Sequence, residues 1–120
     1  MTFGQFIRDR RERLRETDSR FSVRQVARRI GVEPAYLSKI EREEMAPPSE
    51  EKIRALAREL DEDVDLLLAM AGKVSSDLLE ILRKPPRLFP ALIRQLQSCP
   101  APAILPVVRE WRGAYWYRAG

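Results

Sequence analysis

The 120-residue chain has no histidine, no asparagine and a single cysteine, Cys99. These absences exclude an internal disulfide, the usual zinc constellations, a histidine general base and an N-glycosylation sequon. No nucleophile stands beside a base and no glycine-rich phosphate loop is present, so the chain is not expected to be an enzyme. Neither a metal nor a cofactor is expected. No apolar run approaches the roughly 20 residues that a membrane helix needs, and arginines crowd the first thirty residues, where a secretory signal would need an apolar core. The expected compartment is the cytoplasm, without membrane contact.

What is present is enough apolar material, 44%, for one ordinary domain or a small domain with an appendage. The net charge of +4 is unevenly spread. Residues 1–42 carry eleven Lys and Arg against six Asp and Glu, residues 43–70 three against nine, and residues 71–120 eight against three. A basic block followed by an acidic one reads either as a polyanion-facing surface or as a solvated helical face.

The stretch Ser22 to Arg42, SVRQVARRIGVEPAYLSKIER, reads as two short helices joined by a tight turn. Ser22 is a candidate N-cap, Val23, Val26, Ala27 and Ile30 follow at helical spacing, and Gly31 tolerates the positive φ of a stop. Glu33 before Pro34 suits a restart, because proline favours the first helical position and an acidic group the positive end of the helix dipole. In the second helix Tyr36, Leu37 and Ile40 form a packing side, whereas Ala35, Ser38, Lys39 and Arg42 share the other side at i, i+3, i+4 and i+7. A supported helix with small and basic residues on its free face is the physical form of a major-groove reader.

The sequence resembles the lambda-repressor-like, or Xre-type, helix-turn-helix regulators from about Phe6 to about Gly72. The resemblance is carried by IRDRR (Ile7 to Arg11), SVRQVARRIGV (Ser22 to Val32), YLSKIERE (Tyr36 to Glu43) and PPSEEKIRALARELDEDVDLLLAMAG (Pro47 to Gly72). It implies an all-α fold with a compact five-helix domain over residues 1–72; beyond the resemblance, residues 73–120 themselves read as a two-helix appendage and an extended aromatic tail. The resemblance also implies a structural ion pair between Arg11 and Glu41, which supplies the cation that a carboxylate on the packing side needs. The family commonly has leucine where this chain has Arg10, so either the first helix is rotated or Arg10 snorkels past the core. Where the family usually has glycine the chain has Glu43, which either accepts a left-handed backbone or marks a different exit from the helix. Val23 replaces a glutamine that contacts DNA in some members.

Phe3, Phe6, Ile7 and Leu14 mark a first helix with a basic back, from about Thr2 to Leu14, and Glu16 to Phe21 is a polar connection. Ser49 with Glu50 and Glu51 caps a fourth helix with Ile53, Leu56, Ala57 and Leu60 inward. Asp61 to Asp65 opens a fifth with Val64, Leu67, Leu68 and Ala71 inward, and Gly72 stops it. Beyond it, Ser75 and Asp77 begin a helix with Leu78, Leu79, Ile81 and Leu82, which Pro85 ends. Pro86 to Pro90 starts another with Phe89, Leu92, Ile93 and Leu96. The proline-rich Ser98 to Pro106 is expected to be extended, and Trp111, Tyr115, Trp116 and Tyr117 concentrate at the terminus.

The resulting expectation is a DNA-binding transcriptional regulator, a homodimeric repressor that reads a palindromic operator in double-stranded DNA. Lys39 and Arg42 suit guanine, Glu33 cytosine N4, Ala35 a thymine methyl, and Ser38 either kind of edge. Ser22, Arg24, Tyr36, Arg8 and Arg28 suit phosphates. Phe89, Leu92, Leu96, Trp111, Tyr115 and Trp116 form a candidate interface for a second copy or a protein partner. The alternatives are the antitoxin of a toxin–antitoxin pair and an adaptor that binds protein through the same fold.

Overall fold

Thr2 starts the first helix. Its hydroxyl accepts from the Gln5 backbone N–H while the Gln5 side chain accepts from the Thr2 N–H, a capping box that satisfies two orphan donors. The computed structural model describes residues 1–84 and 86–99. Among these the chain is all-α, with helices α1 Phe3–Arg15, α2 Val23–Ile30, α3 Pro34–Glu41, α4 Glu50–Leu60, α5 Val64–Met70, α6 Ser76–Arg83 and α7 Leu88–Ser98. A short 3-10 turn, Ser19–Phe21, lies between α1 and α2.

Each start has a chemical cause. Ser22 accepts from the Gln25 N–H, Ser49 from the Lys52 N–H, and Asp63 from the Asp65 and Leu66 N–H groups. Pro34 opens α3 at its first position. The ends are as definite. Gly31 (φ 78°) closes α2 through a bond from the Val32 N–H to the Ala27 carbonyl at 2.9 Å. Glu43 takes the same left-handed conformation without being glycine (φ 65°), and closes α3 through a bond from the Glu44 N–H to the Lys39 carbonyl at 2.8 Å. Of the two possibilities open at Glu43, the chain adopts the unfavourable backbone angle. Its carboxylate accepts from the Thr2 hydroxyl, which ties the end of α3 to the start of α1.

The chain divides into two units, Met1–Ser75 and Ser76–Gly120. In the first, α2 packs on α3 and α4, α1 on α3 and α4, and α4 on α5. The shared core comprises Phe3, Ile7, Val26, Ala27, Ile30, Leu37, Ile40, Ile53, Leu56, Ala57, Leu60, Leu67 and Leu68, all buried. Each fully buried large side chain contributes roughly 1.5–3 kcal/mol relative to exposure. Arg10 stays out of this core: its Nε donates to the Leu60 carbonyl at 3.1 Å and pairs with Glu62, so its charge satisfies the end of α4.

Two boundaries differ from the sequence reading. Asp61 does not open α5 but terminates α4 in a left-handed conformation (φ 52°), because an aspartate tolerates that region better than most side chains. Ser98 belongs to α7, which the proline-rich run ends one residue later, at Cys99. The rest of that run, from residue 100, and Trp111, Tyr115, Trp116 and Tyr117 lie outside the described residues. In the second unit no residue of α6 or α7 is buried, and Leu88, Leu92, Ile93 and Leu96 are 43–60% exposed.

Gly4 marks the closest approach of α1 to α3. A Cβ there would press into the Ile40 carbonyl and the Glu43 carboxylate, and would lie 3.0 Å from the Glu41 carbonyl. Gly4→Ala is expected to destabilise the protein despite a helix-propensity gain of about 1 kcal/mol, because overpacking against backbone costs about 1–3 kcal/mol. A lower urea midpoint with an unchanged slope is the expected result; an unchanged or higher midpoint would show that α1 and α3 do not meet this tightly.

Candidate nucleic-acid interface

The geometry of α3 follows from its two edges. Leu37 and Ile40 are buried in the core and Tyr36 packs partly against it, so the helix cannot roll. Ala35, Lys39 and Arg42 are consequently exposed and Ser38 half-buried beside them. Glu33 is exposed at the N-cap, where its carboxylate makes no capping hydrogen bond.

Behind this face lies the buried ion pair. Arg11 and Glu41 are 4% and 5% exposed, and the guanidinium donates twice, from Nε to Glu41 Oε2 at 2.8 Å and from Nη2 to Oε1 at 2.9 Å. Its Nη1 also donates to the Phe21 carbonyl at 3.0 Å. One side chain of α1 therefore holds the end of α3 and the loop that leads into α2. The hydrogen bond to Glu41 raises the Arg11 pKa above the ordinary arginine value against the opposing effect of burial, so the guanidinium stays charged. No buried side-chain N or O atom among the described residues lacks a partner.

A shallow cleft of about 160 Å³ opens over this pair, lined by Arg8, Glu12, Val23, Ser38 and Arg42 with Arg11 and Glu41 at its base. The structure thus brings three of the expected DNA contacts, Arg8, Ser38 and Arg42, to one place. Val23 supplies an apolar wall. Ser22 lies at the adjoining start of α2, its hydroxyl already engaged in capping. Arg24 and Arg28 lie four apart on α2, exposed and without an ion pair among the described residues, as is Lys39 on α3. Arg8 pairs with Glu12 at 3.2 Å and Arg42 with Glu44 at 2.9 Å. Glu33, Ala35 and Arg28 do not line the cleft, and Phe89, Leu92 and Leu96 belong to the second unit.

Other cations prove to be structural. Lys52 of α4 donates from Nζ to the Ile30 carbonyl at 3.1 Å, fixing the turn between α2 and α3 from below. Arg29 lies over the Phe21 ring at 5.3 Å and pairs with Glu59 at 2.6 Å. Arg20 is engaged by Asp18, whose carboxyl is lowered to about 2 by the Arg20 hydrogen bonds. No pattern in the sequence distinguishes these from the free arginines; Lys52 sits at an ordinary solvent-side position of its helix.

The family described as "Helix-turn-helix domain" matches residues 2–70, from the cap of α1 to the end of α5. The chain belongs to that family. Comparison with curated proteins and with solved structures gave no match. As a helix-turn-helix domain the first unit is of a DNA-binding and typically non-enzymatic kind, with α2 and α3 as the two motif helices. No helix among the described residues is long and apolar enough to cross a membrane.

The ion pair behind α3 gives a direct test. Arg11→Met leaves Glu41 buried without a cation and is expected to cost about 3–5 kcal/mol, as is Glu41→Leu. The double variant is expected to recover most of that loss, because two apolar side chains leave no unpaired charge. Equilibrium denaturation of the three variants checks this; simply additive losses would mean that the residues do not act as a pair.

Proposed function

We propose that the protein is a sequence-specific double-stranded DNA-binding transcriptional regulator of the lambda-repressor-like, Xre type. In this reading it acts as a homodimeric repressor on a palindromic operator. The observation that carries the reading is the exposed polar face of α3, with Ala35, Ser38, Lys39 and Arg42 outward while Leu37, Ile40 and Glu41 are buried behind it. A helix fits the major groove, and short side chains at Ala35 and Ser38 let it lie deep.

Two classes of contact follow. The free amides at the starts of α2 and α3, with Ser22, Arg24, Tyr36, Arg8 and Arg28, hold phosphates and set register. Glu33, Ala35, Ser38, Lys39 and Arg42 meet base edges, with Lys39 and Arg42 as donors to guanine. One copy of such a domain reads only a few base pairs, so specificity in a genome calls for two copies on half-sites about one helical turn apart. The apolar faces of α6 and α7, including Phe89, Leu92 and Leu96, are the surface proposed for that pairing. Repression needs no further domain, because occupancy of a promoter excludes polymerase.

Selection from a random duplex library, followed by fluorescence anisotropy on the enriched site at two salt concentrations, tests this reading. An enriched motif with two-fold symmetry is expected, with binding that weakens as salt rises. Lys39→Ala is expected to lose about 5- to 150-fold in affinity for that site, the equivalent of about 1–3 kcal/mol for one base contact. No enrichment over random sequence, or equal binding by Lys39→Ala, would overturn it.

A further inference from the structure

The two cations on the free face of α3 are in different states. Lys39 makes no ion pair among the described residues, whereas Arg42 donates from Nη2 to Glu44 Oε2 at 2.9 Å, with the two side chains 50% and 54% exposed. Arg42 is the C-cap of α3 and Glu44 lies two residues beyond. The Glu44 main chain is fixed by its N–H bond to the Lys39 carbonyl at 2.8 Å, part of the closure that the left-handed Glu43 makes possible. The carboxylate is therefore presented by the backbone geometry of the helix end to Arg42, which itself lines the cleft with Arg11 and Glu41.

We propose that Glu44 is an internal competitor for Arg42 that suppresses non-specific DNA binding by the α3 face. This inference rests on the DNA-binding reading above. A carboxylate offers a guanidinium the same chemistry as a phosphate, anionic oxygens that accept charge-assisted hydrogen bonds. On a duplex of arbitrary sequence, Arg42 therefore exchanges one anionic partner for another and gains little, and Glu44 is left facing the phosphates without its counterion. Arg42 is thereby withheld from the sequence-independent electrostatic attraction that any exposed arginine would add. At a specific site the paired O6 and N7 of guanine accept from two donors of the fork, against the single bond that Arg42 gives Glu44. Lys39, with no such competitor, supplies attraction to any duplex.

A four-way comparison of the full chain tests this: wild type, Glu44→Gln, Arg42→Gln and the double variant, each titrated with a random-sequence duplex over a range of salt. Glu44 and Arg42 are both solvent-exposed and the closure at Glu44 is made by the backbone, so the variants keep the fold. Glu44→Gln is expected to raise affinity about two- to fivefold at low salt, the scale on which exposed pairs couple. It is also expected to steepen the slope of log K against log salt by about 0.9, the signature of one added phosphate contact. In the Arg42→Gln background the same substitution is expected to leave the slope unchanged. An equal effect of Glu44→Gln in both backgrounds, or none in either, would overturn the competitor role while leaving DNA binding intact. Absence of duplex binding by all four proteins would overturn the DNA-binding reading and this inference with it.

Discussion

Everything that α3 presents to its surroundings depends on the buried pair between Arg11 and Glu41. A carboxylate 5% exposed at the end of a helix would be prohibitive without a cation, and Arg11 reaches it with two bonds of a planar fork that lysine could not reproduce. The third bond of the same guanidinium, to the Phe21 carbonyl, extends the constraint to the entry of α2. Apolar packing by Leu37 and Ile40 fixes which face of α3 is inward, and the ion pair fixes its end against α1. The close approach at Gly4 and the contact of Thr2 with Glu43 lock the same junction from the other side. Such firmness suits the base-reading role proposed for α3, because contact with base edges tolerates little displacement.

The arginine-rich composition divides into two populations with different work. Arg10, Arg11 and Arg29, with Lys52, are consumed in closing helix ends and pairing carboxylates within the first unit. Arg24, Arg28 and Lys39 remain exposed without ion pairs among the described residues. The charge available to a polyanion is thus smaller than the count of basic residues, and on α2 and α3 it is supplied by these three. Arg8 and Arg42 stand between the two groups, each exposed but engaged by a nearby glutamate.

Much of this fold was legible in the sequence because local chemistry and periodicity agreed. Ser22, Gly31 and Pro34 delimit α2 and α3, and the stripe Ile53, Leu56, Ala57 and Leu60 fixes the inward face of α4. Asp61 misled because an acidic residue suits a helix start, yet its side chain also tolerates the left-handed angle that ends the preceding helix. The Arg11–Glu41 contact was legible only through the family resemblance, since thirty residues separate the partners and no local pattern links them. That Arg10 passes the core was one of two expectations, but the partners of Arg10 and Lys52 were not legible: each reaches a carbonyl at the end of another helix, and such acceptors exist only once the helices are packed. The same reason hides the state of Arg42, whose partner is set by the left-handed turn at Glu43.

α3 is the element proposed to meet DNA. Amide chemical-shift mapping of the full chain, titrated with a duplex carrying its selected site, addresses that most directly. The largest changes are expected at residues 22–24 and 33–42, with α4 and α5 little affected. Changes concentrated in α4 and α5 or in the second unit, with α3 unmoved, would contradict it and assign recognition to another surface.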